Sequence, residues 1–149
     1  MNPLFPILLA AHVALAIALL LPSVALPFLL RDAVPAGPRG AATDWLVRLQ
    51  SNGAIPIALG VVATGVGLLL LLGVELLQRG WLVAALVLYA INLGVAVGVA
   101  RPELRSLLGW QGDDAAWRAR ARRARWIAYG MAAVIGVIGL LMMVKPELG

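Results

Sequence analysis

The side chains able to do chemistry in this chain are few, and their rarity limits what it can do. There is one histidine, His12, in an apolar run (LLAAHVAL), and there is no cysteine. Disulfides, thiolate metal sites and cysteine nucleophiles are thereby excluded, as are multi-histidine metal centres built within the chain. The polar residues inside apolar runs that stand near His12 in depth are Thr64 and Asn92. Imidazole, hydroxyl and amide can ligate a group, or they can satisfy one another and hold helices in register. Polar groups within a membrane are functional candidates by default, and both readings of His12, Thr64 and Asn92 stay open. All seven acids, Asp32, Asp44, Glu75, Glu103, Asp113, Asp114 and Glu147, fall at the ends of apolar runs or between them. No carboxylate or arginine is expected at mid-membrane, which argues against a proton relay, an ion-coupled transporter or a voltage sensor. No serine–histidine–acid set or carboxylate pair is present, so no catalytic residue and no metal site is assigned. Met142 and Met143, at the end of an apolar run, read as packing.

The elements that position these residues follow from composition. The 149 residues are 62% hydrophobic and 13% charged, with mean hydropathy +0.96. Soluble domains carry about a quarter charged residues, so the class is a polytopic membrane protein. The formal charge of +5 comes from arginines beside apolar runs. It therefore points to topology and anionic lipid headgroups, not nucleic acid.

The boundary is clearest at WRARARRARW, Trp117–Trp126. Arg118, Arg120, Arg122, Arg123 and Arg125 stand there with no acid, directly before the uncharged run 127–144. Arginine at the bilayer centre costs roughly 2.5–3.5 kcal/mol on the mildest scale, so this stretch stays on one side. Its arginines are the expected contacts for lipid headgroups. Spans are expected at 4–30, 53–74, 81–100 and 126–144, with connections at 31–52 and 101–125. The first run lacks a basic segment before it and is too long for a cleavable signal, so it reads as a retained span. Pro22 and Pro27 predict a kink near Leu21 or an unwound end near Pro27. Pro56 should be tolerated in the first turns of its span. Asp44 is expected to cap an amphipathic lead-in, and Asp113 and Asp114 to begin a helix that runs through the arginines.

Ten of the twelve Lys and Arg residues lie in the two long connections, and the other two, Arg79 and Lys145, lie at the opposite ends. The positive-inside rule then gives an all-α, four-span antiparallel bundle forming a single domain over 1–149. Both termini lie outside a bacterial inner membrane.

Helices associate in membranes by close backbone approach. Small residues four apart occur in every span. Examples are Ala10, Ala14 and Ala18 in the first, Gly60 with Thr64 and Ala63 with Gly67 in the second, Ala90, Gly94 and Gly98 in the third, and Ala132 with Gly136 in the fourth. At about 100° per residue, His12 points about 160° from Ala10 and Ala14, and Asn92 about 160° from Gly94. The small faces serve either internal packing or association with a larger membrane complex or another copy. His12, Thr64 and Asn92 all fall in the half of the membrane away from the arginines, within about one turn of depth.

Three short motifs carry a resemblance: LLAAHVAL around His12, LPFLLR ending at Arg31, and LMMVKP around Lys145. Together they resemble the small four-helix CopD-like membrane proteins and the HemJ-type protoporphyrinogen oxidases of bacteria. The resemblance covers mainly the first 31 and last 20 residues and implies the same four-helix fold. From the HemJ-type enzymes it implies haem at His12 and a required late lysine, Lys145. The copper implied by the CopD-like group would need more soft or imidazole ligands than one histidine. The expectation is a structural or accessory inner-membrane protein that associates through Gly/Ala faces, with no cofactor firmly implied. The alternative is a redox protein holding haem or another tetrapyrrole on His12.

Overall fold

A computed structural model describes residues 3–30, 41–108, 110 and 112–145. Every regular element in it is helical. Helix α1 spans Leu4–Leu29. Helix α2, Ala41–Arg48, passes through a wide π turn at 49–53 into α3, Ala54–Leu72. A 3₁₀ turn, Val74–Gln78, leads to α4, Gly80–Val95, which passes through a second π turn at 96–100 into α5, Arg101–Leu108. Helix α6 spans Asp114–Val144. Arg31 and Arg39, counted above on the basic side, lie outside the described residues, as do Asp32 and Glu147.

Four helical stretches are long and apolar enough to cross a membrane: Leu4–Leu29, Asp44–Leu72, Gly80–Leu107 and Asp114–Val144. The last three are 29, 28 and 31 residues long. At about 1.5 Å per residue each exceeds a hydrocarbon core of about 30 Å by two or more turns. Their outer surface is apolar, with Leu70 69%, Ile7 65% and Phe28 61% exposed. Such a surface is stable against lipid, where helices also satisfy every backbone donor internally.

Three expectations need correction. The second and third spans run on as helix through 41–52 and 101–108, beyond the expected bounds 53–74 and 81–100, and the lead-in expected around Asp44 is part of that helix. The prolines explain how the chain continues. A proline ring collides with the carbonyl four residues earlier. For Pro56 that carbonyl belongs to Asn52, and for Pro102 to Gly98. Each lies inside a π turn, whose wider ring moves the offending carbonyl aside. In α1, likewise, the helix is not unwound at Pro27. It continues to Leu29, with Leu30 N–H bonded to Leu26 O at 2.8 Å. Pro22 and Pro27 are both buried. Asp44 stands in the first turn of α2, not at its cap. Asp113 does cap α6, its carboxylate accepting from Ala116 N–H at 3.3 Å.

Helix α1 packs against α3 on one side and α6 on the other, and α4 packs against α6. The α1–α3 seam is set by glycines. A Cβ on Gly67 would stand 3.2 Å from Leu8, and one on Gly60 3.0 Å from Leu15. Closer to the arginine-rich end, Gln50 donates to the Ser23 hydroxyl at 3.4 Å. The tightest packing is at that end. There Leu26, Leu30, Leu46, Val47, Leu104, Leu107 and Trp117 form one buried cluster with Ala121 and Ala124.

Candidate ligand cleft

At the end away from this cluster the helices part. An open, mainly apolar cleft of about 1430 Å³ lies between α1, α3, α4 and α6. It is larger than the roughly 300–1,000 Å³ of common small-molecule pockets. Its mid-depth polar groups are His12 and Tyr89, and Glu75, Arg79 and Lys145 stand at its rim. The Tyr89 hydroxyl donates to the carbonyl of Ala58 at 2.8 Å, tying α4 to α3.

His12 is held in a defined state. Its Nδ1 lies 3.0 Å from the Thr64 hydroxyl. That hydroxyl has one proton, and the Gly60 carbonyl, 2.8 Å away, is positioned to take it, with the Val61 carbonyl at 3.1 Å. Thr64 is then left to accept, so Nδ1 of His12 donates to it. In the tautomer that matches this bond the lone pair stands on Nε2, which has no protein partner among the described residues. A lone pair supplied this way binds a metal centre or accepts from an N–H or O–H donor. Metal-ligating histidines are characteristically oriented by such a bond from the other ring nitrogen. Gly65 makes room for the ring: a Cβ there would stand 3.2 Å from His12 Cε1.

The structure thus brings His12 and Thr64 together but not all three polar residues. Asn92 is buried on α4 at 8% exposure, yet makes no hydrogen bond to either, and its Oδ1 has no protein partner among the described residues. Gly65 borders the His12 ring and Tyr89 lines the same cleft, and neither was singled out from sequence. A tyrosine three residues before Asn92 in an apolar run was the available signal for Tyr89. Gly65 gave none, because its role depends on which residue of another helix packs there.

Lys145 closes α6 in the left-handed conformation, φ 46°, the one positive φ at a non-glycine among the described residues. It lies on the cleft rim with Met142 close by in the lining, while Met143 is 83% exposed. Among the described residues no three His, Cys, Asp or Glu side chains gather as a metal site.

The small-residue stripe of α4 does not pack inside the molecule. Ala90, Gly94 and Gly98 are exposed, and a Cβ on either glycine would meet nothing within 4 Å. The five arginines divide. Arg120 and Arg123 reach Glu103 at 3.9 and 3.3 Å. Arg120 also donates to Ser106 and lies 5.3 Å from the centre of the Trp110 ring. Arg118 bonds the Asp114 carbonyl at 3.3 Å, Arg122 is exposed, and Arg125 is half-buried with an unpartnered Nε. Arg120 and Arg123 thus join α6 to α5, whereas Arg118 and Arg122 make no contact to another helix among the described residues.

No family model matches the chain, and searches of curated proteins and of solved structures find no match.

Proposed function

We propose that this is a multi-pass protein of a bacterial inner membrane that binds a haem-type tetrapyrrole in the cleft, with His12 as axial ligand. The carrying observation is the Nε2 lone pair of His12, fixed by Thr64 and lining an apolar cleft. The donor chemistry fits. A neutral imidazole with its other nitrogen hydrogen-bonded is a common proximal haem ligand, and a five-coordinate iron needs only one. Bound there, the group would supply one-electron or ligand-binding chemistry.

The four spans run antiparallel in this reading. Along α1, positions 8, 12, 15 and 23 meet positions 67, 64, 60 and 50 of the second span, which supports it. Both termini and the cleft mouth face outward. The arginine-rich helix ends lie in the cytoplasm, since ten of twelve basic residues belong to that side.

The test is the visible absorption spectrum of protein purified in mild detergent with added hemin, beside His12→Ala. A Soret band that loses its axial-ligand signature in the variant is expected. Identical spectra for the two proteins would remove His12 from the site.

A second reading has its own observation. The exposed Ala90, Gly94 and Gly98 face on α4 suits an accessory subunit that docks on another membrane helix, in a larger complex or a second copy. Blue native electrophoresis showing only monomer would count against it.

A further inference from the structure

We propose that Arg79 and Lys145, at the mouth of the cleft, bind carboxylate groups of its occupant and so fix which way round it sits. This rests on the tetrapyrrole reading and deepens it. The cleft is polarised along its length. Its walls are mostly leucine and valine with Phe5, Trp81, Ile138 and Met142, His12 stands among them, and the charged residues of its lining come from the helix ends. Arg79 stands between the 3₁₀ turn and α4, and Lys145 is the last described residue after α6. Glu75 shares the rim, so the three side chains together leave one net positive charge there.

Arg79 and Lys145 are also the two basic residues that lie at this end of the spans. The other ten lie towards the arginine-rich side. Lys145 moreover occupies a left-handed position that glycine would fill at lower cost, so its side chain is kept against a local backbone preference. An apolar ring system with free carboxylates at one edge matches this arrangement. Its ring would lie in the apolar cleft with its centre towards His12, and its carboxylates would meet guanidinium and ammonium groups at the water boundary. A neutral lipophile would gain nothing from the rim.

The experiment compares two probes, hemin and hemin dimethyl ester, titrated into the full chain in nanodiscs of zwitterionic lipid. The dimethyl ester keeps the iron and the ring but has no free carboxylate. Wild type should bind hemin roughly three- to tenfold more tightly than the ester. Arg79→Gln and Lys145→Gly should each reduce that preference, leave ester binding unchanged, and keep the His12-dependent Soret band. Lys145→Arg should retain the preference. Lys145→Gly relaxes the backbone as it removes the charge, so a loss there cannot come from a strained helix end.

Equal affinity for the two probes, with a His12-dependent spectrum, would overturn the inference and leave the tetrapyrrole reading standing. Absence of binding by both probes would overturn both. A variant that loses hemin and ester together would show a structural role for that residue and remove it from carboxylate recognition.

Discussion

The Cε1 of His12 lies 3.2 Å from where a Cβ on Gly65 would stand. The imidazole therefore rests against the backbone of α3 at a point that only glycine leaves open. Gly65→Ala should push the ring by a few tenths of an ångström and weaken the bond to Thr64. The expected result is a roughly tenfold loss of hemin affinity with little change in thermal stability, since alanine regains up to about 1 kcal/mol of helix propensity. Gly67→Ala is the control. Its methyl would press on the flexible end of Leu8, also at 3.2 Å, and hemin binding should be unchanged.

Thr64→Val keeps the shape and removes the group that sets the His12 tautomer. Partners of this kind are worth roughly 10–100-fold in metal affinity. A loss within that range is expected by titration, and Thr64→Ser should restore most of it. Wild-type affinity in Thr64→Val would mean that the bond serves only to join α1 to α3.

Trp117 is 1% exposed at the centre of the cluster near the arginines. Trp117→Ala should cost about 3–5 kcal/mol, read as a marked fall in the thermal midpoint in detergent. Its indole N–H has no protein partner among the described residues. Trp117→Phe removes that buried donor and keeps most of the ring, so it should lie within about 1 kcal/mol of wild type.

Glu103, with a side chain 14% exposed, receives Arg120 and Arg123. Glu103→Gln should lower stability by about 1 kcal/mol at low salt, because both arginines are largely exposed and their pairs are screened. The difference from wild type should shrink in high salt. Release of the two arginines should also increase retention of anionic lipid, measured by lipid analysis of the purified protein.

The chain has no cysteine, so topology can be tested with single introduced ones. Gly112 is a poor site, since a Cβ there would stand 2.9 Å from the Trp110 ring. Ala115, exposed near the start of α6, is better. Ala115→Cys should react with an impermeant maleimide only after lysis, and Gln78→Cys in intact cells. The reverse pattern would invert the proposed orientation and place the cleft mouth in the cytoplasm.

For the exposed face of α4, Gly94→Ile is informative because nothing lies within 4 Å to clash with a Cβ. The monomer should tolerate it. A drop in native particle size would locate a partner on that face.

The number of spans was legible in the sequence because apolar runs and flanking charges act residue by residue. A run such as 127–144 excludes water from its whole circumference, and five arginines cannot follow it into lipid. The helix start at Asp113 and Asp114 was legible for the same reason, because negative charge favours a first turn locally; the cap that Asp113 makes there is seen in the structure. The helix ends were less so. Nothing in the local sequence around Pro56 or Pro102 announces a π turn, and Pro27 reads as a break until its burial between helices is known. The proximity of His12 and Thr64 could be anticipated from depth, but depth says nothing about azimuth, which is why Asn92 was grouped with them.

What the sequence determined by itself is the solvent: four helices long and apolar enough to cross a membrane, with ten of the twelve basic residues in the two long segments between spans. Those are sums over hydropathy and charge, insensitive to how helices pair. Only the tertiary structure decided that α3 and α4, consecutive in the chain, pack on different partners and part towards the Lys145 end. It also decided that the glycines at 60, 65 and 67 serve the α1 seam, whereas those at 94 and 98 face outward. Small-residue spacing is the same in both cases. What differs is which helix each face meets, and that depends on contacts between residues far apart in the chain.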